Sequence, residues 1–270
     1  MSELINNNKS NNTQKENKET DTFEVDKLQL YFGEPFQISD KIIIRQPTIG
    51  QIMEYGEKKF YSMLNVFISN PTSYRLMLWD IGIDWNKISD YKLFSMLIKS
   101  LKQEDTSILF GDLNFQLFDM YEKQINEDEQ YITLYNKEQD VEINETTYKH
   151  IALYLRTMFN IFPKVEKAKG KGTKEAIIDE DRMNANLRKD EQYQSMLLPL
   201  ISSCLNHPGT NYTKKQLKDE VGIFEFMDCV QRLQIYESTV ALMHGMYSGM
   251  VDTSGINKEE FNFMRDIKTH

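Results

Sequence analysis

The stretch Lys164–Ala176, KVEKAKGKGTKEA, holds the residue types of a phosphate cradle: glycines, lysines and a threonine. A P-loop needs G-x-x-x-x-G-K-[ST] directly after a buried strand, so that successive N–H groups wrap the phosphates. Here Gly170 and Gly172 are only two apart, Thr173 precedes Lys174, and the apolar run before them reads as a helix closed by Pro163. A dinucleotide fingerprint fails as well, because its third glycine is missing. A second chemistry is electrostatic. Lys164, Lys167, Lys169, Lys171 and Lys174 stand against Glu166 alone, a basic patch able to hold phosphate nonspecifically. No aromatic side chain lies between the lysines to stack a base, and Asp179, Glu180 and Asp181 follow at once. The stretch therefore reads as a solvated, mobile loop suited to electrostatic docking on an acidic protein surface. One such surface is in the chain itself: Glu122 to Glu145 holds eight acids and two lysines. The two segments attract one another either within a subunit or between subunits, so self-association is an open alternative.

Metal and catalytic chemistry need convergent groups. The four histidines, His150, His207, His244 and His270, are isolated, and none has the helical or turn spacing of a ligand set. Cys204 and Cys229 are not a CxxC pair, which leaves two half-buried thiols in a reducing compartment. Asp179-Glu180-Asp181 is a lone acidic triplet, the mark of a solvated patch or a helix start. Ser248 follows His244 on one helical turn without an orienting acid, and no GxSxG elbow occurs. No catalytic, cofactor or metal residue is assigned, and the expectation is a protein that is not an enzyme.

What remains is apolar surface. The longest helical pattern, roughly 223 to 247, carries a stripe of Ile223, Phe226, Met227, Val230, Leu233, Val240 and Met243. Phe224, Ile235, Tyr236, Leu242, Met246 and Tyr247 lie off that stripe. A helix apolar beyond one face is either deeply buried or shared with a partner. These six are the candidate partner-binding residues. Met227, Met243, Met246 and Met250 add side chains that adapt to varied apolar partners.

The elements that must position these residues follow from period and punctuation. Residues 1–22 are Asn-, Lys-, Glu- and Thr-rich, with too little apolar content to repay the entropy of ordering; they read as a disordered tail without a signal peptide. Phe36–Ile38 and Ile42–Arg45 form a hairpin. Thr48 and Gln51 have capping-box spacing and open one helix that runs to Asn70-Pro71. Further helices span Tyr74 to Asp80, start at Ser89-Asp90, and start at Asn144. Tyr131–Tyr135 and Val141–Ile143 make a second hairpin. Pro199 sits in the first turn of the helix SMLLPLISSCLN or kinks it. Thr213 and Gln216 repeat the capping-box spacing, and a last helix begins at Asn257. The fold class is α+β, mainly helical, with two small antiparallel hairpins, since nothing alternates strand with helix as a parallel sheet requires. The expected organisation is a tail (1–22), an α+β domain (23–163), a flexible basic and acidic linker (164–192) and a helical C-terminal part (193–270). The 270 residues carry a net charge of −9, with 40% hydrophobic residues. That supports a sizeable core and solubility, and makes nucleic acid a poor partner. No apolar run approaches the ~18 residues that span a bilayer, so no membrane partner is expected and the location is cytoplasmic.

The segments IIIRQPTIGQIMEYGEKKFYSML, LWDIGIDWNKISDYKLF, LLPLISSCLNHPG and FMDCVQRLQIYESTVALMHGMYSGMVDTSGINKEEFNFMRD resemble tail assembly chaperone-like proteins from phages and prophages of low-GC Gram-positive bacteria. The resemblance covers about residues 28 to 267. It implies a tail-morphogenesis protein that binds the phage tape-measure protein, the major tail protein, or both, in the cytoplasm of the bacterial host. It transfers no functional residue. Its implied mechanism is the masking of apolar helical segments by amphipathic helices, with the acidic charge keeping the complex soluble. The alternatives are a virion structural part, such as a head–tail connector or baseplate subunit, and a nucleic-acid-associated factor or enzyme.

Overall fold

The computed structural model describes residues 23–126, 129–249, 252 and 254–267. The tail 1–22, the acids Glu127 and Asp128, Met250 and His270 lie outside the described residues. The chain runs α1 (Lys27–Tyr31), β1 (Phe36–Ser39), β2 (Ile42–Ile44), α2 (Ile49–Tyr55), α3 (Glu57–Ile68), α4 (Arg75–Asp80), α5 (Asp90–Leu97) and α6 (Gln103–Phe110). Then come β3 (Phe118–Asn126), β4 (Glu129–Asn136), β5 (Val141–Ile143), α7 (Glu145–Phe159), α8 (Lys171–Leu187), α9 (Leu197–Asn206), α10 (Lys214–Asp219) and α11 (Ile223–Tyr247). The fold is α+β and mainly helical, with one two-stranded and one three-stranded antiparallel sheet.

Local chemistry places the helix starts. Thr48 and Thr213 each accept a bond from the N–H three residues on, and Gln51 and Gln216 return one to the cap backbone, so two orphan donors are satisfied at once. Ser89 and Asn144 cap α5 and α7 through single side-chain bonds. The helix expected to run from Thr48 to Asn70 is broken at Gly56, whose φ of 97° interrupts the helical path between α2 and α3. Pro199 is the third residue of α9, inside the first turn, where its missing N–H costs nothing. That end of α9 is capped from a distance: the Glu57 carboxylate accepts from Met196 N and Leu197 N at 2.7 and 2.9 Å. The last helix expected from Asn257 is only a 3-10 turn, Lys258–Phe261.

The main core is contiguous across the chain. Phe60, Leu64 and Phe67 of α3, Phe94 of α5, Ile143 of β5 and Ile151, Leu155 and Phe159 of α7 belong to the same buried cluster as Leu197 and Cys204 of α9, Leu217 of α10 and Ile223 and Phe226 of α11. The helical C-terminal part thus shares its core with the α+β part. Arg156 adds a polar tie beside this core, donating to Ile68 O and Ser69 O at the end of α3 and pairing with Asp90 at 2.9 Å. Sheet two is wider than the expected hairpin, because β3 pairs along β4, from Phe118 against Asn136 to Asn126 against Glu129.

A smaller cluster lies to one side. Leu78, Trp85 and Leu93 bury against Ala168 and Ile178. Ala168 and Ile178 come from the span 164–192, where a flexible linker was expected. That span instead follows α4 closely, then folds as α8. The correction has a physical reason: α8 is weakly apolar but its charges are matched. Arg75 of α4 holds Asp181 through two bonds, 2.5 and 2.7 Å, and Glu166 at 2.6 Å. Arg182 reaches Asp80 at 2.6 Å, and Asn86 donates to Ala168 O at 2.7 Å.

Candidate interaction surface

The N-terminus of α11 is fixed by the residues just before α2. Gly222 forms an isolated antiparallel bridge with Thr48, and Ile223 N donates to Pro47 O at 3.0 Å. The Gln46 amide ties two elements together: its Nε2 donates to Leu30 O at 2.7 Å, and its Oε1 accepts from Phe224 N at 2.9 Å. A Cβ on Gly222 would stand 2.1 Å from that Oε1, so only glycine admits this contact. From there the first three turns run into the core. Ile223 and Phe226 are fully buried, and Phe224, Met227, Cys229, Val230 and Leu233 pack against the main cluster.

Past Leu233 the helix leaves the core. Two apolar stripes continue, one through Tyr236, Val240, Met243 and Tyr247 at helical steps of three and four, the other through Ile235, Leu242 and Met246 at steps of seven and four. The C-terminal residues fold back over the first turns of this half. Arg265 donates to Thr239 Oγ1 and Glu260 O at 3.1 and 2.8 Å and pairs with Glu260. Arg232 donates to Arg265 O at 2.6 Å. Thr239, buried beneath them, donates to Glu260 O, and Phe263 meets the Tyr236 ring edge-on. Beyond Thr239, Val240, Leu242 and Met243 are half-buried. Tyr247 is 81% exposed, Tyr236 51%, and Met246 37%, with Phe263 and Met264 exposed beside them.

The six residues singled out from sequence therefore separate. Ile235, Tyr236, Leu242, Met246 and Tyr247 come together on the outer half of α11. Phe224 does not join them; it packs on the core at the base and lines a crevice of about 100 Å³ between α1, the end of α7 and α11. Asp228, on the same crevice, has its carboxyl pushed above the usual range by burial. Phe263 and Met264, on the returning segment, were not singled out; their signal was only two adjacent apolar residues near the chain's end.

The five lysines also separate. Lys174 is the most engaged: its Nζ pairs with Asp84 at 2.5 Å and lies 5.6 Å from the centre of the Trp85 ring. Asp84 is held below the usual carboxylate range, first by that Lys174 bond. Lys171 pairs with Glu175 one turn along α8. Lys164, Lys167 and Lys169 are exposed and have no ion-pair partner among the described residues. The expected docking on the acidic segment before Asn144 gives way to docking on Asp84. In that segment, Asp140 pairs with Lys41 and Glu145 with Lys149. Among the described residues, no group of three or more His, Cys, Asp or Glu is placed to hold a metal ion, and no helix is long and apolar enough to cross a membrane. Compared with protein-family models, curated proteins and solved structures, the chain matches none.

Proposed function

We propose that this chain is a non-enzymatic phage tail-morphogenesis protein, an assembly chaperone that holds tape-measure or major tail subunits through the outer half of α11. The observation that carries this proposal is an apolar helix anchored firmly at one end and exposed at the other. A tape-measure protein is long, helical and apolar before the tail tube covers it. Amphipathic segments of such a client would lie along the stripe of Tyr236, Val240, Met243 and Tyr247, as helices lie in apolar grooves. Methionines 243 and 246 have unbranched, polarisable side chains that accommodate more than one client surface. The net charge of −9 would keep the joined molecules apart from one another in the host cytoplasm. Release follows when tail subunits compete for the same client segments.

Co-expression with the tape-measure protein of the same phage tests this. The proposal expects the two to co-purify and the client to stay soluble, with both effects lost in a Met246→Glu, Tyr247→Glu variant that keeps the wild-type circular dichroism spectrum. If the client aggregates regardless, the proposal fails. Mass spectrometry of purified virions supplies the other arm: absence agrees with a chaperone, and a fixed stoichiometry in the particle would make the chain a structural component instead.

A further inference from the structure

Cys204 of α9 and Cys229 of α11 are unbonded thiols whose sulfurs lie 3.9 Å apart. Nothing in the proposed function uses them. They differ in access: Cys204 is 1% exposed, whereas Cys229 is half-buried. Their neighbours are settled. The Cys204 sulfur has Thr210 Oγ1 at 3.7 Å, and the groups that face Cys229 are Cys204 from α9, Asp228 and Glu225 from α11, Tyr31 from α1 and Tyr212 from the loop before α10. A disulfide needs the two sulfurs about 2.05 Å apart, so closing the 3.9 Å gap takes a relative shift of about 2 Å.

We infer that Cys204 and Cys229 form an internal redox clasp, closed by a peroxide, that locks the base of α11 to α9. The half-buried Cys229 meets the oxidant first. Its thiolate attacks one oxygen of hydrogen peroxide, the O–O bond breaks, and the sulfur becomes a sulfenic acid with loss of water after proton transfer. The Cys204 sulfur then attacks the sulfenic sulfur, the S–O bond breaks, and a second water leaves. Two thiols are oxidised and one peroxide is reduced to two waters, so atoms and electrons balance. Burial and the neighbouring acids push the Cys229 thiol up to about 12, which keeps the thiolate scarce at neutral pH and the clasp slow to close. The bridge joins two cysteines 25 residues apart in sequence, next to the core contacts of Phe226 and Leu233. It is independent of the proposed function.

Peptide mapping without reductant tests the clasp on the folded full-length chain. After hydrogen peroxide treatment, the expected product is a monomer in which the Cys204 and Cys229 tryptic peptides are joined, with both thiols lost to a thiol reagent together. Its thermal midpoint is expected to rise by roughly 5 °C and to return on reduction. A Cys204→Ala variant is expected to stop at a sulfenic acid on Cys229 that a dione probe traps. The inference is overturned by disulfide-linked dimers, by oxidation of Cys229 beyond sulfenic acid with Cys204 still a thiol in the wild-type chain, or by a bridged monomer that melts lower. Because the wild-type mapping stands by itself, failure of the variant to fold leaves the test intact.

Discussion

The two halves of α11 have similar composition and opposite surroundings. Ile223, Phe226, Val230 and Leu233 meet α7, α9 and the main core. Further along the helix, Tyr236 and Tyr247 are 51% and 81% exposed and Met246 37%. The difference does not lie in the helix. It lies in what other elements bring to it: the Gln46 clamp and α9 at one end, and a short returning segment that contacts Thr239 on the other. Hydrophobicity sets how much a face gains by being covered. Topology decides which face the chain covers for itself and which it leaves for another molecule.

Breaking the inner half should cost most. Phe226 is fully buried, so Phe226→Ala is expected to destabilise the fold by about 3–5 kcal/mol, while Tyr247→Ala stays within about 0.5 kcal/mol; urea unfolding followed by circular dichroism reads both. Similar losses at the two sites would erase the distinction between the halves. Gly222→Ala should follow, at about 2 kcal/mol, because its Cβ evicts the Gln46 amide and strands Phe224 N and Leu30 O. A Gln46→Ala, Gly222→Ala pair that is no worse than Gly222→Ala alone would confirm that the loss runs through Gln46.

The satellite cluster sharpens the comparison, since α8 is held largely by charge. Arg75→Ala removes the two bonds to Asp181 and the bond to Glu166, and is expected to cost about 1.5 kcal/mol. Trypsin should then cut at Arg182 and Arg188 several times faster, with the α11 base still resistant. The smallest effect is one of pH. Asp84 has a lowered folded-state pKa, so the folded chain binds that proton less tightly than the unfolded one. Its stabilising share is present above the unfolded value near 4 and is lost as pH falls through the lower folded value. Between pH 5 and pH 3, Lys174→Met should therefore lose about 0.5 kcal/mol less stability than the wild type; an equal loss in both would sink this assignment.

Much of the framework was legible because its signals are local. The caps at Thr48, Ser89, Asn144 and Thr213 each join a side chain to a backbone group three residues away, so the sequence displays both partners. The stripe of α11 is likewise a matter of period. What escaped depends on distant partners. Strand β3 shows no alternation: Phe118 is buried, while Asp119 and Met120 after it are both exposed, so only its pairing with β4 makes it a strand. Helix α8 offers Ile177 and Ile178 and little else. Its ordering comes from Arg75, Asp80 and Asp84, some ninety or more residues earlier. The same distance explains why the lysines of Lys164–Lys174 pointed to the wrong acids. At the surface, helical period alone could not separate Phe224 from Tyr247, because the point where core contact ends is set by α9 and the C-terminal residues.

Hydrogen exchange on the complex with the tape-measure protein tests directly whether the outer half of α11 holds the client. Amides from Tyr236 to Tyr247 are expected to gain protection on binding, while those from Ile223 to Leu233, already held by the core, change little. Protection confined to other elements, with the outer half of α11 exchanging as it does in the free chain, would contradict it.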